Sequence, residues 1–84
     1  MTFSDALENL KQGKRIARSG WNGKGMWIVL VPDDSYGLGS KVPFDWGDKE
    51  NHLKQWIGMK TADNGFVPWL ASQTDVLADD WDIA

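Results

Sequence analysis

The 84-residue sequence contains no cysteine and a single histidine, His52. The first absence excludes disulfides and thiolate metal sites, and the second excludes a histidine-rich metal site. No stretch approaches the roughly 18 apolar residues of a membrane span. Met1–Lys14 lacks the basic-then-apolar order of a secretion signal, so a cytosolic location is expected. Repeats, linkers and low-complexity tracts are also missing, so residues 1–84 read as a single ligand-binding domain. A domain this small buries little surface and needs help to be stable. Without disulfides or metal, that help must come from large apolar side chains and self-association. Six tryptophans are present. Each can bury about 150–250 Å², and six are enough for some to face a ligand or partner.

The net charge of −3 argues against general nucleic-acid binding. Its distribution is uneven. Asn9–Pro32 holds Lys11, Lys14, Arg15, Arg18 and Lys24 and no acid, whereas residues 33–84 hold four lysines and ten acids. A local positive potential of this kind suits a small anion such as a phosphate group. It is equally what a solvated helix end and strand would display.

Phe3, Ala6, Leu7 and Leu10 recur at helical spacing, with Thr2 or Ser4 as the cap and Gly13 as the stop, which predicts a helix over 3–12. Arg15–Ser19 reads as a strand, Gly20–Gly25 as a sharp turn, and Met26–Val31 as a second strand, so that a hairpin connection carries Trp21. Residues 33–54 show no period and read as a long loop, with a possible helical turn at 49–53. Trp56–Thr61 and Phe66–Leu70 form a second hairpin around the turn Ala62-Asp63-Asn64-Gly65, with Pro68 at an edge or bulge. Ser72 and Asp75 resemble a capping box opening a helix over 73–79, and Trp81 and Ile83 alternate with acids in a terminal strand. The expected fold is α+β: a small antiparallel sheet built from two hairpins plus a terminal strand, with an N-terminal helix and a short C-terminal helix.

No catalytic constellation stands out, so the chain reads as a non-enzyme. Ser72, His52 and Asp75 supply triad residue types without a nucleophile elbow. The carboxylate pairs Asp33-Asp34 and Asp79-Asp80 are adjacent, so they point apart and read as solvated caps. Gly20–Gly25 lacks the Walker lysine spacing and reads as a tight turn rather than a phosphate loop. Two binding signals remain. Trp21, in a glycine-rich turn, offers either a plug over the sheet or a stacking surface. Trp69–Asp75 sets an aromatic beside hydrogen-bonding groups at a helix start, a place for an anion or polar ligand as well as an ordinary cap.

The strings Phe3-x-x-Ala6-Leu7, Gly13-Lys14, Ala17-Arg18-x-Gly20-Trp21-Asn22-Gly23-Lys24-Gly25-Met26 and Met59–Asp63 with Val67–Asp75, Leu77-Ala78 and Asp80-Trp81 resemble the second Thoeris anti-defense family of small phage and prophage proteins. Residues 33–55 do not contribute. The resemblance implies a molecular sponge. It would bind a cyclic ADP-ribose signal, glycocyclic ADP-ribose made by a TIR-domain enzyme, without cleaving it, in the bacterial host cytoplasm. It further implies a homotetramer with pockets at subunit interfaces, and binding of cyclic oligonucleotides by some members. No cofactor, metal, nucleic-acid or membrane partner is implied. Carried over by position, Phe3, Trp21 or Trp69 would stack on the purine, and Arg18 or Lys24 would face the phosphates. Asn22, Ser72, Gln73, Thr74 and Asp75 would hydrogen-bond base or ribose. Trp27 and Trp81 are assigned to the core. The competing class is a protein-binding module engaging a host protein through exposed tryptophan and the basic patch.

Overall fold

A computed structural model describes residues 1–33 and 53–84. Helix α1 spans Phe3–Lys11. Its cap is Thr2, whose hydroxyl accepts the Asp5 N–H at 3.3 Å. Its far end closes as a Schellman motif: Gly13 sits at φ 86°, its N–H donates to the Leu10 carbonyl, and the Lys14 N–H donates to the Asn9 carbonyl. Ala6 and Leu10 are the fully buried members of the stripe.

Five strands follow: β1 Ile16–Arg18, β2 Trp27–Val31, β3 Trp56–Lys60, β4 Phe66–Pro68 and β5 Trp81–Ile83, with helix α2, Gln73–Leu77, before the last. They form one sheet in the order β4-β3-β2-β1-β5. Every pairing is antiparallel. The first four strands meander outward, and the last returns to lie beside the first. This is the expected α+β architecture. The long loop and the turn at 49–53 lie almost wholly outside the described residues. At their margin the Gln55 N–H donates to the Asp33 carboxylate at 2.7 Å.

Residues opposed in register share a face of the sheet. Ile16 opposes Ile28, and both are buried with Ala6, Leu10 and Trp81 beneath the helix. Trp27 opposes Lys60, and Lys60 opposes Phe66, which puts all three on the other face. The assignment of Trp27 to the core is therefore corrected. It is half-buried, its ring lies 6.4 Å from Phe66, and the Arg15 guanidinium stacks on it at 4.4 Å. Strand parity decides this, because Trp27 is one position out of phase with the buried Ile28. On the same face Gly58 is buried under aromatic rings: a Cβ there would come 2.6 Å from Phe66 Cε2 and 3.1 Å from Trp56 Cζ3.

The edges are finished differently. Pro68 stands on the outer strand β4, where its missing donor is tolerated. Beyond β5, the Trp81 N–H donates to the Met1 carbonyl at 3.1 Å, and the Met1 nitrogen donates back to the Trp81 carbonyl at 2.6 Å. The Ile83 N–H is bonded by the Asp82 carboxylate at 2.8 Å.

Helix α2 is shorter than the expected 73–79. Ala78 turns extended, at φ −71° and ψ 151°, which allows Trp81 to swing back to the sheet. Its capping box is complete.

Candidate functional site

Trp81 is the centre about which the predicted site residues gather. Its ring is buried, and its indole N–H donates to the Asp75 carbonyl at 2.9 Å, so the polar end of a core side chain is satisfied. Three half-buried rings surround it. Trp21 stands edge-on at 5.4 Å, Trp69 edge-on at 5.9 Å, and Phe3 lies tilted at 5.5 Å. Phe3 and Trp69 also meet, at 6.0 Å. Edge and tilted contacts at these distances are the favourable aromatic geometry. The structure thus brings together the three aromatics expected to stack on a purine, from a helix, a turn and the end of a strand.

Each is positioned by local chemistry. Phe3 opens α1 behind the Thr2 cap. Trp21 ends a single 3₁₀ turn, Ser19–Trp21, which Asn22 closes at φ 57°. Gly23 and Gly25 continue through positive φ, where residues with a Cβ are strained. Trp69 extends the β4 pairing, its N–H donating to the Ile57 carbonyl at 2.9 Å.

The polar candidates divide into two groups. Asn22 and Lys24 are exposed on the turn after Trp21, and Ser72, Gln73 and Thr74 are exposed at the start of α2. The Ser72 hydroxyl accepts the Asp75 N–H at 3.1 Å, and the Ser72 N–H donates to the Asp75 carboxylate at 3.4 Å. The Ser72 and Asp75 N–H groups are thereby occupied by the cap itself.

Arg18 and Asp75 lie between the two groups. Arg18 Nη1 donates to Asp75 at 2.8 Å, and Arg18 Nε donates to Asp80 at 2.8 Å. All three side chains are mostly shielded from solvent. The Arg18 hydrogen bond, with the Gly20 N–H next, holds the Asp80 carboxyl down at about 2. At Asp75 burial works to raise the pKa, but the bonds from Arg18 and Ser72 outweigh it and the carboxyl is lowered. The Arg18 guanidinium is correspondingly raised, first by Asp80 and then by Asp75.

Asp80 was not among the sequence candidates. Read as half of a solvated pair with Asp79, it is instead the acceptor for Arg18, Ser19 and Gly20. Its partners are about sixty positions away, so no local spacing reveals it. The basic run at 9–32 is likewise dispersed: Lys14 reaches Asn9, Arg15 covers Trp27, Arg18 is paired, and Lys24 stands exposed on its turn.

Among the described residues no group of three or more His, Cys, Asp or Glu is arranged to hold a metal ion, and no helix is long and apolar enough to cross a membrane. His52, the base in the triad considered above, lies outside the described residues.

Comparison with known proteins extends the resemblance across the whole chain, residues 33–55 included. The chain is 49% identical over 85 residues to Thoeris anti-defense 2 of Bacillus phage SP01, covering 99% of this chain and 93% of that protein. The model of the Thoeris anti-defense 2-like domain matches residues 1–84, and the chain therefore belongs to the Thoeris anti-defense 2-like family.

Proposed function

We propose that this phage-type Thoeris anti-defence protein works as a sponge. It binds a cyclic ADP-ribose signal, glycocyclic ADP-ribose in the first instance, and holds it without cleaving it. The observation that carries the reading is the trio of half-buried rings, Phe3, Trp21 and Trp69, set around Trp81. Rings held on a buried support offer stacking faces at little entropic cost. Lys24 supplies charge for the phosphates. Asn22, Ser72, Gln73, Thr74 and Asp75 supply donors and acceptors for base and ribose. Catalysis is not part of this reading, because the carboxylates at the site are occupied by Arg18 and backbone donors and are poorly suited to proton transfer. The working form is a homotetramer in the host cytoplasm with pockets completed at subunit interfaces. Cyclic oligonucleotides form a second ligand class.

The test is native mass spectrometry with a panel of cyclic nucleotides, followed by denaturation and recovery of the ligand. Glycocyclic ADP-ribose should bind, raise Tm and be recovered intact; a processed nucleotide would point to a hydrolase. Trp69→Ala should abolish binding while far-UV circular dichroism keeps the folded signature.

A second reading has its own observation. Leu70, before α2, and Leu77, at its end, are 90% and 81% exposed, and Val76 on the same helix is exposed as well, apolar surface suited to a protein partner. Under that reading a stoichiometric host protein is retained and nucleotides leave Tm unchanged.

A further inference from the structure

The turn that carries Trp21 is closed by its own backbone, the Asn22 N–H donating to the Ser19 carbonyl at 3.0 Å, but no side chain of its own caps it. Arg18, at its N-cap position, makes no side-chain cap bond to it. The cap comes from the far end of the chain. Asp80 Oδ2 accepts the Gly20 N–H at 2.8 Å and the Ser19 hydroxyl at 3.2 Å, and the Asp80 carbonyl accepts the Ser19 N–H at 3.1 Å. Gly20 makes room for this, since a Cβ there would lie 3.0 Å from Asp80 Oδ2 and 3.3 Å from Arg18 Nη2. The other Asp80 oxygen takes Arg18 Nε, and the same guanidinium reaches Asp75. Asp75 belongs to the box that starts α2, and its carbonyl holds the Trp81 indole. One guanidinium between two carboxylates therefore joins the Trp21 turn to the helix that begins after Ser72. The trio carries one positive and two negative charges. Its net negative charge repels a phosphate at this spot.

We propose that Asp80 and Arg18 are positioning residues, which set the Trp21 ring against Trp81 and register its turn with the start of α2, while recognition of the ligand's phosphates falls to Lys24. The effect on ligand rests on the nucleotide-binding reading above; the effect on Trp21 does not.

Asp80→Asn separates this from a direct phosphate role for Arg18, because the two predict opposite signs. Removing the carboxylate charge leaves the guanidinium paired with Asp75 alone and makes the protein less negative. A phosphate-binding Arg18 would then hold glycocyclic ADP-ribose as well as before or more tightly. A positioning pair loses the turn instead. We expect affinity to fall about tenfold, the scale of losing charge-assisted hydrogen bonds, together with a changed near-UV circular dichroism spectrum of the ligand-free protein, where the Trp21–Trp81 edge contact contributes. Equal or tighter binding by Asp80→Asn overturns the proposal. Gly20→Ala keeps every charge and crowds the same carboxylate. It should shift both readouts in the same direction by a smaller amount, and it carries the test should Asp80→Asn not fold. Lys24→Ala should weaken binding and flatten its salt dependence with the ligand-free spectrum unchanged; an unaltered salt dependence removes Lys24 from the proposal. If the unsubstituted protein binds no nucleotide, the functional reading fails but the spectra of the ligand-free variants still decide the positioning role. Unchanged spectra in both Asp80→Asn and Gly20→Ala overturn it.

Discussion

The Ser19–Gly25 and Thr61–Gly65 turns both join antiparallel strands, and each places an asparagine in the left-handed region, Asn22 at φ 57° and Asn64 at φ 71°. They are held in opposite ways. The second turn is closed by its own residues. The Thr61 hydroxyl donates to the Asp63 carboxylate and accepts the Gly65 N–H at 2.9 Å, and Asp63 is lowered chiefly by that Thr61 bond. The first turn has backbone bonds of its own, Asn22 N–H to the Ser19 carbonyl among them, but its side-chain support comes from Asp80, just before β5, and from the Trp81 ring beneath Trp21. The difference concerns dependence. The Thr61–Gly65 turn takes its side-chain bonds from its own sequence, whereas the Trp21 turn takes them from Asp80 beside β5. Local opening of the terminal strand would therefore release the candidate site before the far hairpin.

Trp81→Ala should give the largest effect. It deletes a buried ring and should cost about 3–5 kcal/mol, a large part of the stability of a small domain. Urea unfolding measures the loss. In the folded fraction the amide shifts of Trp21 should move while those of Thr61–Gly65 stay in place; equal movement at both turns would erase the contrast.

Acid should act next, through Asp80. Its carboxyl is held at about 2 against an ordinary 3.8. A depressed carboxyl stabilises the fold fully above the ordinary value and loses that contribution as pH falls through 3.8 toward about 2. Asp75, lowered as well, adds in the same direction. Stability should therefore decline across this window in the native protein and decline less steeply in Asp80→Asn. Matching slopes would mean that the carboxylate contributes nothing to the clamp.

The smallest effect is expected at Asn64→Ala, on the order of 1 kcal/mol for a Cβ residue without a local bond in the left-handed region. It should leave ligand affinity and the near-UV spectrum unaltered. A shifted Trp21 signature would show the two turns to be coupled.

The same contrast explains how much could be read from the chain beforehand. Helix α1, with Thr2 and Gly13 at its ends, and the Ser72–Asp75 box follow from residues a few positions apart, and both were legible. So were the five strands, because each is bounded by turn residues. The second hairpin was foreseen with its turn over Ala62-Asp63-Asn64-Gly65, and the loop lies there, with the positive φ on Asn64. Trp27 and Trp81 looked alike in sequence, both being aromatic residues in short strands. Which face each occupies depends on register with other strands. The gathering of Phe3, Trp21 and Trp69 around one ring joins residues from distant parts of the chain; Trp21 and Trp69 stood out by their settings in a glycine-rich turn and before a helix start, whereas Phe3 was picked out by the family resemblance alone. Asp80 escaped both routes, since its role is defined by partners on β1 and the following turn.

The two borders of the sheet have a consequence for self-association. Open strand borders are templates on which further chains polymerise into fibrils. Here Pro68 withholds a donor on one side, and on the other the Met1 backbone and the Asp82 carboxylate already engage Trp81 and Ile83. Growth by strand addition has little purchase at either border. A sequence with six tryptophans thus carries its own guard against fibril growth.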